Sequence, residues 1–407
     1  MCDVPALRFP EFNGEWITRP IKDIADFIGG GTPSSANEAY WQGTIPWVSS
    51  SDIVEDNIND ITISRYITEE AISNSATKLC SAPVILIVSR VGVGKVALSS
   101  KAICTSQDFC NLINIKVHPT FLAYSLSQIM KRKSIEVQGT SIKGITSLEI
   151  QKIILHIPSL QEQHKISDLF QLIDKRIAVQ SKIIEDLKKL KSAIVEALFC
   201  VPKESVPAKR LSPYSKDWKL VKLFDICQRI QTKNTGRQCR QVLTIAAQYG
   251  LVNQEDFFNK TVASENLERY YLLQKGDFAY NKSYSGDYAW GAIKRLERYE
   301  QGVLSPLYIC FRPNITKVDA DYLAHYFESK KWYKGIADIA GEGARNHGLL
   351  NISVIDFFNT IHRIPDLEEQ KVIAQFLNKF SSKLSCEQRI MQSLTKQRNY
   401  LLQKMFI

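Results

Sequence analysis

The 407-residue sequence has no long hydrophobic run; the longest, Ala82–Val88, is seven residues. That length suits a buried strand and is far too short to cross a bilayer, and no basic-then-apolar signal stretch opens the chain. A soluble, cytoplasmic protein is expected. The nine cysteines stand singly, without a C-x-x-C pair, so they are expected to be reduced and mostly buried. The six histidines show no ligand spacing, which leaves no metal site in view. Catalytic signatures are missing as well: no Asp/Asn-Pro-Pro-aromatic tetrad, no Gly-rich cofactor loop after a strand, no H-E-x-x-H and no G-x-S-x-G. The stretch SRVGVGKV (Ser89–Val96) imitates a phosphate loop. It has Ser89 where the first glycine is needed and Val96 where a hydroxyl must hold Mg²⁺.

Charge is present but unevenly placed. The net charge is +10, which suggests an acidic partner such as nucleic acid. Residues 1–156 carry 14 basic and 15 acidic side chains, whereas residues 200–363 carry 24 and 17. If both halves bind DNA, the first must do so through a local patch on a neutral body.

Two repeats set the organisation. IPSLQEQHKISDLF begins at Ile157 and IPDLEEQKVIAQFL at Ile364, an offset of 207 that holds without a gap to the last residue. VPALRFPEFNGEW (Val4–Trp16) returns as VPAKRLSPYSKDW (Val206–Trp218), now 202 apart. A tandem duplication is the simplest reading: opening segment, variable globular part, long closing helix, then all three again. The expected domains are 1–156 and 201–363, globular and α+β, each followed by a long helix at 157–200 and 364–407. Two short strands around a turn are expected in VILIVSRVGVGKVALSS and again in YLLQKGDFAYNKS. Helices are expected in TFLAYSLSQIMKRKSIE and ADYLAHYFESKKWYKGIADIA.

The closing helices carry an apolar stripe alternating by four and three, the seam of a coiled coil. It runs Gln180, Ile184, Leu187, Lys191 in the first helix and Glu387, Met391, Leu394, Arg398 in the second. Each copy is broken by polar residues at the same two places. Buried charge wants a partner. An antiparallel register in which facing numbers sum to 578 sets Lys191 opposite Glu387 and Gln180 opposite Arg398, with Ile184 facing Leu394 and Leu187 facing Met391.

Polar loops are the binding candidates. The Ser89–Val96 turn presents Arg90 and Lys95 either to DNA or to water. GEGARNHGLL packs Arg345, Asn346 and His347 between glycines; Arg and Asn are the side chains that pair bidentately with guanine and adenine. GTSIKGIT offers Ser141 and Lys143, and NKSYSGDYAWG offers Lys282, Ser283 and Tyr284. Lys131–Lys133 read as a solvated helix end.

These features together resemble the specificity subunits of type I restriction–modification enzymes. GGTPSSANEAYWQGTIPWVSSSDI (Gly30–Ile53) is similar to a common opening of their target-recognition domains, and adds Thr32, Ser34, Ser49 and Ser50 as candidate DNA contacts. ITSLEIQKIILHIPSLQEQ and NISVIDFFNTIHRIPDLEEQ resemble the passage into the conserved helix. QKGDFAYNKS with GVLSPLYICFRP resembles another recognition-domain subtype, whose loops add Arg237. The resemblance implies a scaffold without catalytic residues. Two recognition domains would read the halves of an asymmetric split DNA target, and two antiparallel helices would dock two methyltransferase subunits. Those subunits would bring S-adenosylmethionine; motor-nuclease subunits using ATP and Mg would join in the restriction form. This chain itself would bind no cofactor.

Three other readings stay open: the specificity subunit of a solitary methylation system, a self-sufficient DNA-modifying enzyme with a degenerate site, and a scaffold that does not bind DNA.

Overall fold

The computed structural model describes residues 4–138, 144–211, 213–246, 250–258, 266–283, 288–340 and 350–407. The chain forms two compact units, Met1–Lys182 with Arg389–Ile407, and Ile183–Gln388. Each long helix is therefore divided between the two. Among the described residues no helix is long and apolar enough to cross a membrane. Seven of the eight described cysteines are buried, and all eight are free.

In the first unit, Ile17–Pro20 pairs antiparallel with Ile154–Ile157. A four-stranded antiparallel sheet follows, in the order Asp26–Gly29, Phe109–Ile113, Val84–Val88, Val96–Ser99. The central VILIV strand is buried at every position, as an uninterrupted apolar run requires. Helix Pro119–Gln138 lays Phe121, Leu122, Leu126 and Met130 on one face of that sheet. A second, mixed sheet orders Arg65–Ile67, Ile45–Val48, Ile103–Thr105 and Leu79–Cys80.

The second unit repeats this frame. Lys219–Lys222 pairs with Ile361–Ile364, and a sheet orders Cys227–Arg229, Ile309–Pro313, Phe278–Asn281, Ala292–Arg295. The two sheets have the same strand order although their sequences have diverged. The second layers differ: here two separate two-stranded ladders, Leu243–Ala246 with Gly250–Asn253 and Tyr271–Gln274 with Gln301–Leu304, replace the mixed sheet. The expected helix at 320–340 is two helices, Ala320–Glu328 and Tyr333–Ile339. The break is held by the Trp332 indole N–H, which donates to the Phe327 carbonyl at 3.1 Å.

The long helices run Leu160–Leu198 and Leu367–Met405, 39 residues each, or roughly 58 Å at about 1.5 Å per residue. Ser159 and Asp366 cap them, accepting from the Glu162 and Glu369 amides at 3.3 and 3.1 Å. In the first unit Phe170 meets Phe406, ring centroids 5.7 Å apart, and Asp174 meets Arg398. Numbers rising on one helix and falling on the other make the pair antiparallel. Ile166 and Phe170 share a core with Leu402, Met405 and Phe406; in the second unit Ile373 and Leu377 share one with Val195, Leu198 and Phe199. Every one of these positions maps onto its counterpart by 207.

The repeated phrase is a fastener. Arg8 clasps Glu162, Nε to Oε1 at 2.7 Å and Nη2 to Oε2 at 2.8 Å; Arg210 clasps Glu369 at 2.8 and 2.7 Å. Gln163 accepts from the His118 amide at 2.8 Å and donates to the Pro158 carbonyl at 2.9 Å. Gln370 does the same with Asp319 and Pro365, at 2.8 and 3.0 Å. The Glu-Gln pair thus pins each long helix to the opening segment and to the start of the recognition-domain helix. The Leu7 amide also donates to the Lys404 carbonyl and the Lys209 amide to the Ala197 carbonyl, both at 2.9 Å.

The seam stripe is in place, its charge pairing is not. Gln180, Ile184, Leu187, Lys191, Glu387, Met391, Leu394 and Arg398 are each buried or half-buried, and the residues between them are exposed. However, Arg398 donates to Asp174 at 2.5 Å rather than facing Gln180 as its partner, and Lys191 donates to Glu328 at 2.8 Å. Glu387 binds Lys383, four residues before it on its own helix, at 2.5 Å. A buried guanidinium takes a carboxylate in preference to an amide. Acids off the stripe supply what the stripe lacks, Glu328 coming from the recognition-domain helix, so pairing the stripe with itself gave the wrong partners.

Candidate nucleic-acid interface

The turn between the third and fourth sheet strands is glycine-rich in both units. In the first, Gly92 and Gly94 adopt φ of +83° and +109°, and a side chain on Gly94 would meet the Ser134 Cβ at 2.9 Å. The Ile145 amide donates to the Ser89 carbonyl at 2.8 Å, tying the end of the GTSIKGIT loop to this turn. In the second unit the Leu350 amide donates to the Lys282 carbonyl at 3.0 Å, tying the end of the GEGARNHGLL loop to the corresponding turn. In each half the described end of the later loop is therefore bonded to the start of the earlier one. Ser141, Lys143, Tyr284, Arg345, Asn346 and His347 lie outside the described residues.

Around the first turn a groove of about 900 Å³ is lined by Gly30, Arg90, Gln107, Thr146 and Gln151. Gly30 is obligatory, since a Cβ there would lie 2.0 Å from the Ser106 carbonyl oxygen. The Thr32 hydroxyl donates to Gln107 Oε1 at 2.5 Å, and Lys95 Nζ donates to the Ser50 carbonyl at 3.2 Å. Arg90 is exposed. Thr32 and Arg90 are thus gathered at the groove, while Lys95 and the buried Ser50 brace one another beside it. Ser49 serves the frame: its hydroxyl meets Asp52 at 2.9 Å and Arg65 at 2.6 Å. Burial pushes the Asp52 carboxyl up, but the Ser49 amide and the Arg65 guanidinium outweigh it and hold it below the ordinary range. Ser34 is exposed, and its carbonyl accepts from the Trp41 indole at 3.2 Å.

In the second unit the Ser283 amide donates to Asn281 Oδ1 at 3.0 Å, which turns the backbone out of the strand, and Lys282 is half-buried beside it. Arg237 is exposed on a separate turn after the first sheet strand. Sequence reasoning missed Gln107, Arg65 and the Asp277–Arg312 pair. Arg65 stacks over Trp47 at 4.5 Å, and Arg312 holds the buried Asp277 at 2.6 and 2.8 Å. Nothing local marks Arg65; Asp277 was visible only as half of a Gly-Asp turn.

Hydroxyl, amide and guanidinium groups on glycine-rich turns can bind phosphates and read base edges. Among the described residues no group of three or more His, Cys, Asp or Glu could hold a metal.

Comparison with known proteins agrees with the duplicated frame. The type I restriction modification DNA specificity domain matches residues 13–189 and again residues 215–396. The MjaIX specificity subunit of Methanocaldococcus jannaschii is 31% identical over 43% of this chain and 42% of its own length. The EcoR124I/EcoR124II specificity subunit of Escherichia coli is 29% identical over 45% and 46%. These two alignments span less than half of either relative. The MjaVIII specificity subunit of M. jannaschii is 21% identical over 98% of this chain and 93% of its own. A crystal structure of the S subunit of a type I restriction-modification system from M. genitalium shares the fold, with a TM-score of 0.58 at 16% identity over 99% of both chains. With a specificity domain in each half, the chain belongs to the type I restriction modification DNA specificity family.

Proposed function

We propose that this chain is the DNA sequence-recognition subunit of a type I restriction–modification complex and performs no chemistry of its own. One observation carries the reading: in both units the end of a polar, glycine-rich loop, Ile145 or Leu350, is bonded to the residue that follows the third strand of a sheet of the same order, while the sequences of the two loops differ. A common frame with unlike tips suits two readers of unlike half-sites, and hence an asymmetric bipartite target. The long helices space the half-sites and dock two methyltransferase subunits. S-adenosylmethionine, ATP and Mg belong to those subunits and to the motor-nuclease subunits of the restriction form, all in the cytoplasm.

Methylation mapping of the host genome with and without the gene tests this. One bipartite adenine-methylated motif should vanish on deletion, and exchanging residues 201–363 for another second domain should change only one half of it. A genome whose methylation ignores the gene would sink the proposal.

A further inference from the structure

The charge excess of the second half has a local source that the loops above do not use. Residues 228–240, QRIQTKNTGRQCR, hold four cations, Arg229, Lys233, Arg237 and Arg240, and no acid. The corresponding stretch after the first sheet strand of the other half, residues 28–40, holds no cation and one acid, Glu38.

This stretch is built, not loose. Asn234 is fully buried at its centre; Nδ2 donates to the Cys239 carbonyl at 2.8 Å and Oδ1 accepts from the Cys239 amide at 2.9 Å. The turn is thereby closed, with Gly236 at φ +70° and Arg237 at φ +54°. A side chain held in the left-handed region is strained, and such strain is kept where it positions something. Lys233 is fastened over the Tyr271 ring at 3.8 Å and to the Arg269 carbonyl at 3.0 Å. Arg237 and Arg240 are exposed, and their side chains make no hydrogen bond or ion pair among the described residues. The turn packed against it, Leu267–Arg269, adds one charge of each sign and leaves the excess intact.

We infer that the Asn234-closed turn is a phosphate clamp, in which Arg237 and Arg240 grip the DNA backbone beside the second half-site, and that the first half has no such clamp. The inference rests on the DNA-recognition reading. Backbone grips hold affinity and register without carrying sequence, and each phosphate neutralised adds about 0.9 to the salt slope of binding.

The test measures binding of the full chain, in the complex in which it purifies, across a salt series. One DNA fragment carries the mapped target and another of equal length does not. Arg237→Gln with Arg240→Gln should lower the slope of log affinity against log salt by about 2 on both DNAs. The methylated motif should stay the same, and Arg237→Lys with Arg240→Lys should restore the slope, since a phosphate accepts either cation. An unchanged slope overturns the clamp. So does a loss confined to the target with a relaxed motif, which would make these arginines base readers. A wild-type complex unable to tell target from unrelated DNA would instead overturn the recognition reading, while the slope on unrelated DNA still decides the clamp.

Discussion

Arg210 holds both oxygens of Glu369, at 2.8 and 2.7 Å, with the carboxylate almost wholly out of water. Arg8 and Glu162 do the same in the other unit. Arg210→Ala would leave a buried charge unmatched, at a cost of about 3 kcal/mol. Arg210→Ala with Glu369→Ala should lose less than the two single variants added together. Urea unfolding of the four members of that cycle checks this; additive losses would show that the clasp contributes nothing as a pair.

The seam cation Lys191 answers to the recognition domain. Lys191→Glu should destabilise the second unit, and Glu328→Lys in the same chain should recover part of the loss. Glu387→Lys should not. Because Glu328 is partly exposed, the coupling should be about 1 kcal/mol. Recovery with Glu387→Lys instead would restore the register expected from the stripe.

His362 is buried and neutral, its Nδ1 2.9 Å from the Tyr326 hydroxyl and its Nε2 2.8 Å from Thr360 Oγ1. The Thr360 hydroxyl donates to the Phe357 carbonyl, so its oxygen accepts from Nε2–H and the tyrosine donates to Nδ1. Burial pulls the imidazole from 6.5 down to about 4. The unfolded chain therefore binds this proton first as pH falls. Stability is complete above pH 6.5 and declines through pH 4, by up to roughly 3 kcal/mol. Urea midpoints between pH 7.5 and 4 should show that decline, and His362→Gln should flatten it. An equal slope in the variant would remove His362 as its source.

On the proposed recognition reading, Arg90 and Arg345 are candidate readers of the first and the second half-site. Arg90→Ala should relax the half read by the first unit, and Arg345→Ala the half read by the second, each by about 1–3 kcal/mol if bidentate to a base. Methylation motifs of the two variants decide it; a uniform loss on all sequences would make either residue a phosphate contact.

The isolated chain should neither cleave nor methylate DNA when given S-adenosylmethionine, ATP and Mg. Turnover from a rigorously pure sample would contradict the scaffold assignment.

Much of the frame was legible because repetition is a signal that survives divergence. The phrases at Ile157 and Ile364 announced the same long helix, which starts three residues later in each copy, at Leu160 and Leu367, after a strand that ends on the isoleucine. The loops were legible as glycine-flanked polar stretches, though not that Ile145 and Leu350 would tie them to the neighbouring turns. The antiparallel sense of the helix pair was legible, but the partners of its charges were not. Stripe periodicity shows which face is buried, but Asp174 and Glu328 sit outside the stripe, and only the packed structure brings them to Arg398 and Lys191. Arg65 failed for the same reason: its partners Ser49 and Asp52 are neighbours only across a strand pair and a turn.

One hydrogen bond joins Leu7 to Lys404, and the same bond joins Lys209 to Ala197. Only the second pair is also connected by twelve steps of chain. In the second unit the bond therefore closes a short loop of chain, whereas in the first it joins segments almost four hundred residues apart. Cutting the backbone between Ala197 and Lys209 would turn the second contact into the same kind of long-range closure as the first, held by the same bond.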